Sequence, residues 1–253
     1  MKAKFFNTAL LVSLLFGFTR FSTAQADLKT RNMKSQKVKA AYKKHWEGLR
    51  KNIASKGVSD QNFDFYIRVF KQEKKLEAWV KSSSTNNRYV LLRTYDVCAS
   101  SGVLGPKRRQ GDGQVPEGFY KIELLNPYCN YHLGMLVSYP NKSDIIKKTA
   151  PDAGNEIMIH GKCCTIGCIP MQDEPAEELY ILCLEAMNRN RTVRCDIFPC
   201  RMSEQNMETL AKTNIPENKL FWKSIKPGYD FFELNHSLPK ISITKKGEYL
   251  VTK

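Results

Sequence analysis

The stretch Glu156-Ile-Met-Ile-His-Gly-Lys-Cys-Cys-Thr-Ile-Gly-Cys-Ile-Pro-Met171 brings a histidine and a cysteine into one short loop. Its first residues read as a strand that ends at His160, and the turn that follows returns the chain to Cys168. A cysteine attacks a carbonyl only as its thiolate, and a free thiol has a pKa of about 8.5, so it needs a neighbouring base. We therefore predict Cys168 as a nucleophile and His160 as its general base.

Acyl transfer also needs N–H donors aimed at the oxyanion that forms during attack. The backbone N–H groups of Gly167 and Cys168 are the candidates, because a residue without a side chain lets the backbone approach a substrate closely. Gly161 and Thr165 are predicted to support the loop. The Thr165 hydroxyl could bond either the loop backbone or a substrate carbonyl.

The segments on both sides of this loop have the hydrophobic periods of strands and helices. Alternating residues predict strands at 63–69, 76–81, 89–97, 119–125, 131–139, 156–160, 193–197, 241–244 and 248–251. Helical spacing predicts helices at 28–56, from Asp173 onward, and at 203–212 and 217–225. The predicted fold class is mostly β with flanking helices (α+β). Tyr131 and His132, in a predicted strand, are candidate lining residues of the cleft.

The amino terminus has the pattern of a cleaved secretory signal, with basic residues at 1–4, an apolar run at 9–18 and Ala24-Gln-Ala26. We predict a signal peptide at 1–26, a basic helical segment at 27–58 and a catalytic domain at 59–253. The apolar run is shorter than the roughly 20 residues that span a bilayer, so no transmembrane anchor is expected in the mature chain. The expected location is the periplasm or cell envelope.

The chain is strongly basic, with a formal net charge of +15 that loss of the signal would lower by three. This excess favours anionic partners, and it is greatest in the basic helical segment. That segment is either a solvated helix face or a surface attracted to anionic envelope polymers or lipid headgroups. Nucleic acid is not a predicted partner, because no nucleic-acid-binding motif accompanies the basic residues.

The chain has eight cysteines, and an exported protein often pairs them in disulfides. Five of them have mostly apolar neighbours and are interpreted as small buried hydrophobic residues: Cys98, Cys129, Cys183, Cys195 and Cys200. A disulfide from Cys163 or Cys164 to Cys168, acting as a redox lock, is a further hypothesis. Zinc bound by these cysteines and His160 is a weaker alternative, because structural zinc usually takes spaced rather than adjacent cysteines. No metal or cofactor is predicted.

Several motifs in order resemble the L,D-transpeptidase (YkuD) superfamily, and in particular its YafK-like branch. His160-Gly161 with Thr165-Ile-Gly-Cys168 is similar to the family's catalytic motif. The likeness covers roughly residues 60–235. It extends to Gly105-Pro-Lys-Arg-Arg-Gln-Gly-Asp112, Val115-Pro-Glu-Gly-Phe-Tyr-Lys-Ile122, Asn126-Pro-Tyr-Cys-Asn-Tyr-His-Leu133 and Phe221-Trp-Lys-Ser-Ile-Lys-Pro-Gly-Tyr229.

The resemblance implies a YkuD-like β-sandwich catalytic domain in the bacterial envelope that acts on peptidoglycan stem peptides. Cys168 would attack a carbonyl at the L-centre of a diamino acid, and His160 would move the proton. The acyl-enzyme would pass to an amine, including one of a peptidoglycan-attached protein, or to water. Ile166 and Pro170 depart from the residues typical of the family, and this favours hydrolysis at least as much as transfer. A peptidoglycan-binding envelope protein with an inactive site is the alternative from another class.

Overall fold

The computed structural model describes residues 27–83, 88–212 and 215–252. The predicted signal peptide at 1–26 lies outside the described residues. Within these ranges the helices are α1 (Leu28–Asn32), α2 (Gln36–Ser55), α3 (Lys142–Lys147), α4 (Asp173–Asn188), α5 (Glu204–Ala211) and α6 (Pro216–Asn235). None of the helices in the described ranges has both the length and the apolar composition that a bilayer span requires.

Most of the segments with alternating hydrophobic residues form strands, as predicted. They are β1 (Phe63–Phe70), β2 (Lys75–Ser82), β3 (Val90–Asp96), β4 (Gly118–Asn126), β5 (Gly134–Val137), β6 (Met158–His160), β7 (Ile169–Pro170), β8 (Arg194–Phe198), β9 (Lys240–Ile243) and β10 (Tyr249–Thr252). The predicted α+β class is therefore confirmed.

Eight strands form one curled sheet in the order β3-β2-β1-β8-β4-β5-β6-β7. Strand β4 joins its two halves, because residues 118–121 pair with β8 and residues 122–126 pair with β5. The register shifts between Ile122 and Leu124, where the strand passes from one half to the other. Irregularities of this kind bend a strand and increase its twist. The half of the sheet that contains β5 ends at the parallel pair of strands β6 and β7.

Helices cover both faces of the first half of the sheet. Phe65 and Ile67 of β1 belong to the core that α2 and α4 share with the sheet. Tyr66 and Phe70, on the opposite face of β1, pack with aromatic residues of α6. A strand covered on both faces has no solvent side, which explains why β1 is buried almost throughout.

The basic helical segment consists of two helices instead of the single one predicted. Asp27 caps α1 by accepting a hydrogen bond from the Thr30 N–H, and the chain turns at 33–35 before α2 begins. Val38, Ala41, Leu49 and Ile53 are buried in the same core as the sheet, and α2 packs along α4. The apolar stripe of α2 thus faces α4, while its lysines face solvent.

Two predicted boundaries are wrong for physical reasons. The strand predicted at 131–139 begins only at Gly134, because His132 has a left-handed φ of 72° that extended backbone does not allow. Helix α6 was predicted to stop near Ile225, yet it continues through Pro227 to Asn235. Tyr229 and Phe232 on the added turns are buried against the sheet, so tertiary packing offsets the hydrogen bond that proline removes.

Candidate active site

The parallel pair β6 and β7 places the predicted nucleophile and base on one face. Ile159 pairs with Ile169, and His160 pairs with Pro170. The same register puts Cys168, just before β7, beside Met158, and side chains two residues apart on a strand share a face. Cys168 and His160 are therefore diagonal neighbours at this edge of the sheet.

Both side chains line a cavity of about 270 Å³ at the end of β6. Its wall consists of Asn126, Tyr128, Cys129, Asn130, Tyr131, Glu156, Met158, His160 and Cys168. A larger cavity, of about 630 Å³, lies between α6 and β10 and has neither Cys168 nor His160 in its wall. The smaller cavity is the candidate active site, because the predicted nucleophile and base lie there.

The Cys168 thiol is held by backbone groups. Its Sγ lies 3.5 Å from the Met158 nitrogen, which donates to it, and 3.6 Å from the Glu156 carbonyl oxygen, which accepts from it. Among the described residues, no hydrogen bond joins this sulfur to the His160 ring in the structure. The thiol is partly exposed, so a substrate carbonyl can reach it from the cavity.

His160 is almost fully buried, and its neighbours fix its tautomer. Nδ1 lies 2.6 Å from the Gly161 carbonyl oxygen. A carbonyl can only accept, so Nδ1 carries the hydrogen in the neutral ring and Nε2 is the basic nitrogen. The Tyr131 ring lies against the imidazole, with 4.9 Å between the ring centroids. His160 is thus oriented as a proton acceptor through Nε2.

Burial keeps both members of the pair neutral. It lowers the pKa of His160 and raises the pKa of Cys168 from their ordinary values. At neutral pH the resting pair is then a thiol and a neutral imidazole instead of a thiolate and an imidazolium. Attack on a carbonyl would require the thiol proton to leave as the sulfur–carbon bond forms, which is general-base catalysis.

Thr165 organises the turn in front of Cys168. Its hydroxyl donates to the Cys168 carbonyl at 2.7 Å and accepts from the Gly167 N–H at 3.0 Å. This is the local turn bond, one of the two alternatives for Thr165. The Gly167 N–H is already used here, so of the two predicted oxyanion donors the Cys168 N–H is the one that Thr165 leaves available.

The two glycines of the site are required by close packing. Gly167 has φ of 140°, and a Cβ there would lie 3.2 Å from the Gln114 carbonyl oxygen. At Gly161 a Cβ would lie 2.5 Å from Asp173 Oδ1 and 2.8 Å from the His132 Cβ. The loop from His160 to Cys168 therefore packs tightly against its neighbours at both ends.

One disulfide ties this loop to the rest of the domain. Cys163 is bonded to Cys98, which follows β3, and Cys164 and Cys168 are free thiols. Interpreting Cys98 as a buried hydrophobic residue was therefore wrong. A redox-lock disulfide from Cys163 to Cys168 is wrong as well, because Cys163 is bonded to Cys98. The described residues contain no group of three or more histidine, cysteine or acidic side chains suited to a metal ion.

Of the two residues predicted to line the cleft, one lies in the cavity wall and the other lies behind it. Tyr131 lines the cavity. His132 lies behind the wall, where its Nε2 contacts Glu177 Oε1 at 2.8 Å, and Glu177 also contacts His45 of α2. His132 therefore connects the site to the helices, and its interpretation as a lining residue is corrected.

Sequence reasoning missed Glu156, Met158 and the wall formed by Asn126, Tyr128 and Asn130. Tyr128 is largely exposed beside the cavity. The segment 126–133 was noted only as a motif, and two of its residues were chosen on the assumption that it formed a strand. Its proline and two asparagines are the available signal, because they indicate a turn that presents polar side chains.

Comparison with known proteins agrees with these motifs. The family model of the L,D-transpeptidase catalytic domain (YkuD) matches residues 64–193. The chain is 36% identical over 191 residues to the Escherichia coli K12 protein named "Putative L,D-transpeptidase YafK", covering 74% of each chain, and equally to that of Escherichia coli O157:H7.

Among solved structures, the helical cell shape determining protein Pgp2 from Campylobacter jejuni superposes with a TM-score of 0.44 and 17% identity, covering 72% of this chain and 73% of that one. Bd1075 from Bdellovibrio bacteriovorus superposes with a TM-score of 0.36 and 18% identity, covering 55% and 48%. The family match and the identity to the Escherichia coli relatives establish that this chain belongs to the L,D-transpeptidase catalytic domain (YkuD) family.

Proposed function

We propose that the chain is a secreted cysteine enzyme of the bacterial cell envelope that acts on peptidoglycan stem peptides. Cys168 is the nucleophile, and His160 is the general base and acid. The observation that carries the proposal is that both residues line one cavity, with Nδ1 of His160 bonded to the Gly161 carbonyl and Nε2 left as the basic nitrogen. Membership of the family supports peptidoglycan as the substrate.

The proposed reaction begins with proton transfer from Sγ of Cys168 to Nε2 of His160 as the sulfur attacks the amide carbonyl. The carbon–nitrogen bond then breaks, and the imidazolium returns the proton to the leaving amine. The product is a thioester on Cys168 and a free amine. The Cys168 N–H is the proposed oxyanion donor. Water or a second amine then releases the acyl group, with His160 accepting a proton from it.

Hydrolysis of an amide at the diamino acid is supported at least as well as transfer to a second stem. Ile166 and Pro170 stand where typical members of the family have other residues. Ile166 is 89% exposed and Pro170 is buried in β7, so neither offers a polar group for an incoming amine. A protein attached to peptidoglycan through such an amide would be released by the same reaction.

A non-catalytic peptidoglycan-binding protein is the second candidate. The observation in its favour is that the thiol has a raised pKa and bonds to the backbone instead of the imidazole. Both proteins would bind sacculi, and only the enzyme would change them. The two candidates therefore differ in the products that they leave.

The deciding experiment incubates purified sacculi and defined muropeptides with the wild type, Cys168→Ala and His160→Gln, and analyses the products by mass. Cys164→Ala is the matched control, because Cys164 is an exposed free thiol in the same loop. The proposal expects shortened stems, released protein or new crosslinks with the wild type and Cys164→Ala, and none with the other two variants. Unchanged muropeptides with every protein would establish the binding protein instead.

A further inference from the structure

Glu156 has an unusual backbone for its residue type. Its φ is 56°, in the left-handed region where glycine is the favoured residue and asparagine or aspartate the common exceptions. The residue lies just before β6, two positions ahead of Met158. Glycine would adopt this backbone without strain, so the glutamate side chain is held at this position at a conformational cost.

The position of Glu156 connects it directly to the nucleophile. Its carbonyl oxygen accepts from Sγ of Cys168 at 3.6 Å, and the residue lines the same cavity as Cys168 and His160. The residue is exposed. Among the described residues that form the cavity wall, Glu156 is the only one with a carboxylate. A carboxylate therefore lies in the cavity wall, on the residue whose backbone carbonyl contacts the Cys168 thiol.

This carboxylate is uncompensated. Among the described residues, none forms a hydrogen bond or an ion pair with the Glu156 side chain. The nearby cations are used elsewhere: Lys162 donates to the Asn130 carbonyl at 3.1 Å, and Lys37 donates to the Cys129 carbonyl at 3.5 Å. These lysines hold the 126–133 turn from outside, and neither lines the cavity.

The free carboxylate also works against the nucleophile. Burial is the main cause of the raised pKa of the Cys168 thiol, and the negative charge of Glu156 adds to it. Glu156 therefore has two unfavourable features, a charge that disfavours the thiolate and a strained backbone. A bound cation would offset the unfavourable charge, because it would pair the carboxylate and reduce its repulsion of the developing thiolate.

We propose that Glu156 binds an ammonium group of the substrate, so that the site selects an acyl donor whose residue carries a free side-chain amine. This inference rests on the proposed function, and it names the feature of the stem peptide that the site recognises. Glu156 is a specificity-determining residue in this proposal. A diamino acid satisfies it, whereas the same residue with its amine acetylated does not.

The test compares two synthetic stem peptides that differ only in acetylation of the side-chain amine of the diamino acid. Binding is measured by calorimetry with Cys168→Ala, and again with Glu156→Gln or Glu156→Gly added to it. Glu123→Gln is the matched control, because Glu123 is an exposed carboxylate on β4 outside the cavity wall. Turnover of both peptides is measured with the same substitutions in the otherwise unchanged protein.

We expect Cys168→Ala to bind the free-amine peptide about fivefold to tenfold more tightly than the acetylated one, the range of a charge-assisted hydrogen bond at a partly exposed site. Glu156→Gln and Glu156→Gly should abolish this preference, and Glu123→Gln should keep it. Equal affinity for the two peptides, or a preference that survives loss of Glu156, overturns the inference. Because binding is measured without the nucleophile, a preference without turnover would instead count against the proposed reaction.

Discussion

Nδ1 of His160 lies 2.6 Å from the carbonyl oxygen of Gly161, the next residue in the chain. The contact commits Nδ1 to donation, so the basic nitrogen of the buried ring is Nε2. It also makes the histidine dependent on a glycine that packs against Asp173 and His132. The orientation of the proposed base is therefore set by the backbone of its own loop.

The pH dependence follows from the neutral pair. The proposed base must be unprotonated, and burial lowers the pKa of His160, so the acid limb of kcat/KM should have its midpoint below the ordinary histidine value of about 6.5. Burial raises the pKa of Cys168, so alkylation by iodoacetamide should have its midpoint above the ordinary cysteine value of about 8.5. Stopped-flow alkylation of Cys164→Ala isolates this thiol from the exposed one. An alkylation midpoint below neutrality would instead indicate a resting thiolate.

Gly161→Ala should damage both folding and the site. The added Cβ would lie 2.5 Å from Asp173 Oδ1, and relieving such overpacking costs about 1–3 kcal/mol. The Gly161 carbonyl would shift with it, so kcat should fall while the protein remains folded. Gly48→Ala is the control: it lies in α2 with nothing within 4 Å of the new atom, and it should stabilise the protein by up to about 1 kcal/mol. Urea unfolding measures both, and equal effects of the two substitutions would refute the packing argument.

Thr165→Ala should lower both activity and stability. The substitution removes the donor to the Cys168 carbonyl and the acceptor for the Gly167 N–H, each bond contributing about 1 kcal/mol. The turn would lose the restraint on the nucleophile's backbone, and we expect kcat to fall about tenfold through misplacement of the thiol. Thr165→Ser retains the hydroxyl and should restore most of the activity. A serine variant as slow as the alanine variant would show that the methyl group matters instead.

The disulfide between Cys98 and Cys163 should stabilise the site loop. Removing a native disulfide costs about 2–5 kcal/mol, and the Cys98→Ser/Cys163→Ser variant should have a lower Tm and lower kcat. Dithiothreitol should reproduce the loss of Tm in the wild type. Cys164→Ser should leave both quantities unchanged, since Cys164 is exposed and unpaired in the described structure. A Tm insensitive to reduction would mean that the loop is held by its other contacts.

The parts of the fold predicted from sequence are those governed by local pattern. The β1 and β2 hairpin follows from alternating residues, and α4 follows from its apolar stripe. Helix α6 could not be bounded in this way, because Pro227 is a local stop signal that packing of Tyr229 and Phe232 overrides. The partner of Cys163 lies 65 residues away, and no local rule selects it.

The candidate site was also predicted only in part. Cys168 and His160 follow from residue chemistry and motif, and their roles stay predictions that the experiments above test. The register of β6 against β7, which puts them on one face, is a tertiary pairing. Of the cavity wall at 126–131 only Tyr131 was predicted, because the turn that brings Asn126, Tyr128 and Asn130 to the cavity has no hydrophobic period.

A buried ion pair anchors the long loop that packs against Gly167, the residue before Cys168. Lys71 Nζ donates to Glu117 Oε1 at 2.9 Å and to the carbonyls of Val103, Gly105 and Val115. Glu117 also accepts from the Gly105 N–H and from Nε1 of Trp222. The loop before β4 is thus fixed to Lys71, the residue after β1, and to α6, and its Gln114 carbonyl packs against Gly167.

Lys71→Met should therefore be strongly destabilising, by about 3–5 kcal/mol, because it leaves the Glu117 carboxylate buried without its cation. Glu117→Gln keeps an acceptor for the other donors but leaves Lys71 unpaired, so it should also destabilise. The double variant leaves no unpaired charge, and its cost should be about 1–3 kcal/mol less than the sum of the two single costs. Urea unfolding of the four proteins measures this coupling, and additive costs would show that the pair itself contributes nothing. Because the loop packs against Gly167, Lys71→Met should lower kcat as well. Lys75→Met removes one partner of an exposed ion pair on β2, so it should change neither the stability nor kcat measurably.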